Sequence, residues 1–122
     1  MTEPLVSDLH HVSINVDDYA AAEAFYVDTL GLAKRDDRPD FGFGGAWLQI
    51  GGRQIHLIET QTPEDLGQHF AFEVADLDAT IAELRQRGVE VTDAVAVGSG
   101  RQAFAHDPCG NRLEFNQPGA TL

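Results

Sequence analysis

The chain has 122 residues, suited to one compact domain, and 43% of them are hydrophobic, enough for a core. Its 20 acidic residues against 8 Lys and Arg leave a formal charge of −12, which repels phosphate backbones and argues against nucleic acid as a partner. No apolar run approaches the roughly 18 residues of a membrane-spanning helix, Met1–Asp8 lacks signal-peptide character, and the single cysteine, Cys109, has no partner in the chain; these lead to the expectation of a cytoplasmic protein with no membrane role.

In chain order, the first predicted element is a strand from His11 to Val16. Val12, Ile14 and Val16 share one face, and His11, Ser13 and Asn15 the other. Asp18 is placed to cap a helix over about Tyr19–Leu30, with Ala22, Tyr26 and Leu30 at four-residue spacing and Gly31 as its stop. Strands are then expected at Ala33–Asp37, Ala46–Ile50 and Gln54–Ile58, with loop 36–45 before the second and Gly51-Gly52 turning between the second and third. Segment 60–67, containing Pro63, reads as a linker.

The pattern then repeats. A shift of 58 positions lays His11 on His69, Val16 on Val74, Asp18 on Asp76 and Ala24 on Ala82. His69–Val74 reads as a strand and Asp76 as a cap. A helix follows over about Leu77–Arg87, with Gly88 as its stop, and then strands at Val89–Val95, Arg101–His106 and Arg112–Asn116, with a loop at 96–100. The same shift carries Ile55-His56-Leu57 onto Leu113-Glu114-Phe115. The expected fold is α+β: two tandem βαβββ modules forming a cupped mixed sheet with helices outside. They make one domain, with module one at about 8–59, linker 60–67 and module two at about 68–117.

Period-two geometry puts His11, His56, His69 and Glu114 each opposite an apolar strand face. With helices covering those apolar faces, all four are expected to converge in the hollow of the sheet. Three imidazoles and a carboxylate suit a divalent ion such as zinc, nickel, iron, cobalt or manganese, and four ligands on a six-coordinate ion leave two positions open. Ser13, Trp47, Gln49, Ala71 and Ala103 are the expected pocket wall. His10, of opposite parity to His11, is expected to face away. His106 borders a turn, and nothing near Cys109 activates it as a nucleophile.

Three stretches carry a resemblance: Leu9-His10-His11-Val12 with Ile14 and Val16; Phe25-Tyr26 with Leu30-Gly31; and Asp107-Pro108-Cys109-Gly110-Asn111 leading to Glu114. Over about residues 8–117 the chain resembles the vicinal oxygen chelate superfamily, the glyoxalase, bleomycin-resistance and extradiol-dioxygenase group. The resemblance implies metal ligation by His11, His69 and Glu114. It places His56 where glyoxalase I commonly has a glutamate that takes part in proton transfer. It further implies a homodimer, with sites built from modules of one or both chains. The activity it implies first is a metal-dependent lyase or isomerase acting on a small substrate that chelates the metal through neighbouring oxygens, with Glu114 or His56 moving the proton. The alternatives are an Fe(II) extradiol-type dioxygenase and a non-enzymatic drug-binding protein of bleomycin-resistance type.

Overall fold

The computed structural model describes residues 3–119. Module one contains β1 (His11–Val16), α1 (Tyr19–Glu23) running on into a π-helical segment (Ala24–Thr29), β2 (Ala33–Lys34), β3 (Gly45–Ile50) and β4 (Arg53–Glu59). Module two contains β5 (His69–Glu73), α2 (Leu77–Gln86), β6 (Val95–Val97), β7 (Gly100–His106) and β8 (Arg112–Gln117). The strands form two four-stranded mixed sheets of identical topology, β1-β4-β3-β2 and β5-β8-β7-β6. The fold is α+β, as the sequence predicts.

The duplication extends to the register. In the parallel pair β1/β4, His11 lies opposite Gln54; in β5/β8, His69 lies opposite Arg112, and both positions are displaced by the same 58 residues. The helices begin alike, with the Asp18 and Asp76 carboxylates each accepting a backbone N–H three residues on, from Ala21 and Ala79, at 3.1 Å. They also end alike. Gly31 and Gly88 both adopt φ of 85°, the left-handed conformation that lets the chain leave a helix and that side-chain-bearing residues resist.

One core serves both modules. Val16, Leu48, Leu57, Tyr26, Leu77 and Leu113 are fully buried and belong to a single apolar cluster. In module one the helix widens after Glu23, where Leu30 N–H bonds to Phe25 O five residues back. Here Phe25 and Tyr26, adjacent in sequence, are both buried, whereas the four-residue stripe picks out only Tyr26. The phenol of Tyr26 then reaches across the modules and donates to Asp107 Oδ2 at 2.7 Å. Burial and the Asp107 carboxylate beside it push the Tyr26 pKa up, so it stays a donor. Asp107 also accepts from Cys109 N–H, Asn111 N–H and Asn111 Nδ2, all at 2.9 Å, and Asn111 Nδ2 donates to Asn15 O of module one at 2.9 Å. The Asp107–Asn111 turn is therefore a clasp between the halves.

Two expected strands are shorter than the sequence suggests. Pairing in β2 stops at Lys34, and Arg35 adds one further bond to Trp47 O. Over 89–95 only Val95 is in a strand, paired with Gln102 of β7; Val91 is buried in the core, but before Val95 the stretch meets β7 through hydrogen bonds between Thr92 and Phe104. Apolar alternation there reports burial of side chains, not a ladder.

Candidate functional site

Each sheet has one face turned away from the common core. On sheet one, Ile55 and Leu57 of β4 point into the core and His56 between them points out. His11 of β1 shares that outer face, and its ring stacks on His56 with centroids 3.9 Å apart and planes inclined by 12°. Trp47, directly opposite His56 on β3, closes the other side at 4.6 Å. His56 Nε2 lies 2.8 Å from Gln54 Oε1, so Nε2–H donates and Nδ1 carries the lone pair. Burial, reinforced by the nearby basic side chains of His11, His10, Arg35 and Arg38, lowers the His56 pKa to about 4, which keeps the ring neutral near pH 7.

On sheet two the equivalent positions hold His69 and Glu114. Leu113 and Phe115 of β8 enter the core. Glu114 sits between them on the outer face and is nonetheless buried at 8% exposure. Its Oε1 lies 3.0 Å from His69 Nε2, and its Oε2 accepts from Asn116 Nδ2 at 2.9 Å. His69 Nδ1–H donates to Gly67 O at 2.8 Å, an arrangement that turns Nε2 toward the carboxylate. Phe104, opposite Glu114 on β7, packs edge-on against His69 at 5.3 Å. Among the described residues, no Lys or Arg lies within 4 Å of the Glu114 carboxylate, and His69 and Asn116 are its side-chain hydrogen-bond partners.

The structure thus brings the four expected ligands together in two pairs, His11 with His56 and His69 with Glu114. It does not gather them within one chain: among the described residues no three His, Cys, Asp or Glu side chains are close enough to hold an ion together. The donor chemistry nevertheless fits a divalent metal. Each pair has nitrogen or carboxylate donors oriented by a same-face neighbour two residues away on its own strand, Gln54 for His56 and Asn116 for Glu114.

Of the expected pocket wall, Ser13 and Trp47 line a pocket of about 300 Å³ with His11 and His56. Gln49 is engaged elsewhere, accepting from Arg35 and donating to Gly51 O at 2.6 Å. Ala71 is exposed beside His69's strand position. Ala103 is fully buried in the core instead of facing outward, and its neighbour Phe104 occupies the position opposite Glu114. The cause is the turn. Trp47 pairs with His56 across a two-residue turn, and Phe104 pairs with Glu114 across a five-residue one, so the offset on these strands is 57 and the facing parity changes by one.

His10 departs from its expected orientation. It precedes the strand, so strand parity does not govern it, and its Nδ1 lies 2.9 Å from Nδ1 of His11. His106 pairs with Asp65 at 2.7 Å, which together with the Gly67 N–H and Arg112 holds the Asp65 pKa at about 2 and fastens the linker to module two. Cys109 Sγ donates to Asp18 O at 3.5 Å, and burial pushes its pKa up, away from nucleophilic use. Arg38, Phe41 and Phe43 also line the pocket beside His11 and His56, and the sequence gives no sign of it because they lie in loop 36–45, where no periodicity marks a facing side.

Paired βαβββ modules with donor pairs at equivalent strand positions define a class of small-molecule site rather than a single reaction. The chain belongs to the glyoxalase/bleomycin resistance protein/dioxygenase superfamily, whose model matches residues 8–115. A Bacillus anthracis protein assigned to the glyoxalase family is 29% identical, with TM-score 0.84 over 95% of this chain and 98% of its own. TnmS3, an antibiotic binding protein from Streptomyces sp. CB03234, is 31% identical, with TM-score 0.78 over 96% of this chain and 100% of its own. Glyoxylase I 4 of Arabidopsis thaliana is 27% identical, the match covering 90% of this chain and 70% of that protein. Among the described residues no helix is long and apolar enough to cross a membrane.

Proposed function

We propose that this protein is a divalent-metal-dependent lyase or isomerase of glyoxalase type, working as a homodimer. In this reading His11 and His56 of one chain meet His69 and Glu114 of its partner copy. The observation that carries it is Glu114, a buried carboxylate with no Lys or Arg within 4 Å among the described residues, met only by His69 and Asn116. A buried carboxylate is costly unless a cation or several donors balance it. The His11–His56 pair supplies nitrogen donors on an open face at the matching strand positions, and the likeness to Glyoxylase I 4 supports the same chemistry.

A metal held by these four side chains would supply Lewis-acid stabilisation of negative charge on two neighbouring substrate oxygens. The chain's own groups do the rest. Glu114, or His56 when its Nδ1 is not on the ion, takes the proton from the hydroxyl-bearing carbon beside the carbonyl and returns it to the carbonyl carbon, while the hydroxyl proton passes to the former carbonyl oxygen. Asn116 and Gln54 fix the orientation of these two groups. Trp47 and Phe104 shield the reacting side chains from water. The test is turnover of a 2-oxoaldehyde–thiol adduct alongside elemental analysis. Bound metal with turnover is expected in the native protein, and both are lost in Glu114→Ala. A native protein that isomerises the adduct no faster than this variant would remove the reading.

A second reading is favoured by the aromatic wall of Phe41, Phe43 and Trp47 and by the likeness to an antibiotic binding protein. In it the same pocket sequesters a planar compound without turning it over. Tight binding by metal-stripped protein, with no chemical change in the bound compound, would select it.

A further inference from the structure

The chain has eight Lys and Arg among twenty acidic residues, and seven of the eight have a carboxylate within 4 Å. Among the described residues Arg38 alone has none. Its guanidinium lies over the rings of Phe41 and Phe43, 5.1 and 5.6 Å from their centroids, and among the described residues its one hydrogen bond is from Nη2, donating to Phe43 O at 2.9 Å. These contacts hold the cation in place without neutralising it. Arg38 lines the pocket of about 300 Å³ shared by His11, His56 and Trp47, and no Asp or Glu lines that pocket. In a protein of net charge −12, one cation kept clear of carboxylates and set into an aromatic cage faces the pocket for a reason that loop anchoring alone does not supply. The anchor to Phe43 uses a single donor and leaves the rest of the fork available.

We infer that this pocket binds an organic monoanion with a planar body, an aromatic carboxylate, its carboxylate on Arg38 and its ring against Phe41 and Trp47. One unpaired guanidinium offers a bidentate match to a carboxylate and balances one negative charge. The inference rests on the proposed function for the pocket's role as the substrate site, but its recognition chemistry lies wholly in module one and does not use His69 or Glu114.

The experiment titrates purified protein with 3-phenylpropionate, its methyl ester and butanoate, followed by calorimetry and by the fluorescence of Trp47, the chain's only tryptophan. The acid is expected to bind about tenfold or more tightly than the ester, the scale of a charge-assisted hydrogen bond, and well above butanoate. Arg38→Gln brings acid and ester to parity. Phe41→Leu weakens both by a similar factor and keeps their ratio, which guards against a variant that merely disturbs the loop. Glu114→Ala strips the proposed metal yet preserves the acid-to-ester ratio. Equal binding of acid and ester, a ratio unchanged in Arg38→Gln, butanoate binding as well as the aromatic acid, or no binding of 3-phenylpropionate each overturns the inference. So does loss of the ratio in Glu114→Ala, which would place the carboxylate on the metal. A native protein that lacks metal and turnover but keeps the Arg38-dependent ratio strikes only the catalytic reading.

Discussion

The two modules share strand order, helix caps and the register of their parallel strands, yet their outer faces differ in chemistry. Module one presents two stacked imidazoles under a tryptophan, with a cationic aromatic loop beside them. Module two presents an imidazole against a buried carboxylate, edged by a phenylalanine. The turns differ as well: two residues join β3 to β4, whereas the five joining β7 to β8 include Asp107 and fasten the halves together. Duplication sets where an outward side chain stands. Divergence at those positions decides whether it contributes nitrogen, negative charge or an aromatic surface. Neither module alone holds a full ligand set, which is why the proposed site needs both kinds of face.

That contrast can be broken most severely at Glu114. Glu114→Ala removes the one anionic side chain of the proposed ligand set and one candidate base, and turnover of the 2-oxoaldehyde–thiol adduct is expected to fall by about a hundredfold or more. The orienting residues come next. Asn116→Ala in module two and Gln54→Ala in module one should each weaken metal affinity by about 10–100-fold, read by chelator competition. If only one of them matters, the modules are less alike than their registers suggest.

The clasp is tested by Tyr26→Phe. The variant removes the phenol that reaches from module one to the buried Asp107, and denaturant unfolding should show a loss of about 1–3 kcal/mol with native-like secondary structure.

The smallest effect is a pH dependence carried by His56. Its folded pKa of about 4 lies below the unfolded value of 6.5, so the unfolded chain binds the additional proton between these values. The contribution of His56 is fully present above about pH 6.5 and is lost as the pH falls toward 4. Comparing the unfolding midpoint of native protein and His56→Gln across this window should show a shallower acid decline in the variant.

Much of the fold is legible because its signals are local. Alternation in His11–Val16, Arg53–Glu59, His69–Glu73 and Arg112–Gln117 faithfully separates core-facing from outward residues, since each strand packs one face on the shared core. The caps at Asp18 and Asp76 and the stops at Gly31 and Gly88 are equally local. The limits are physical as well. Val91 is buried without joining a strand, because burial and ladder pairing are separate requirements. Ala103 and Phe104 exchange places because a longer turn changes the register, a property not contained in the strand itself. His10 reaches His11 because parity does not extend past the strand end. Arg38 and its phenylalanines lie in a loop, where only tertiary structure reveals that a cation has been left without a carboxylate.

The decisive measurement is complementation between two inactive variants. His11→Ala disables module one, and Glu114→Ala disables module two. Mixing them through mild dissociation and reassociation gives heterodimers in which one of the two sites combines intact modules from different chains. Recovery of about a quarter of native turnover, the share expected from random pairing, is the predicted result. A mixture as inactive as either variant alone, while calorimetry or light scattering shows that chains have exchanged, would contradict a site shared between copies.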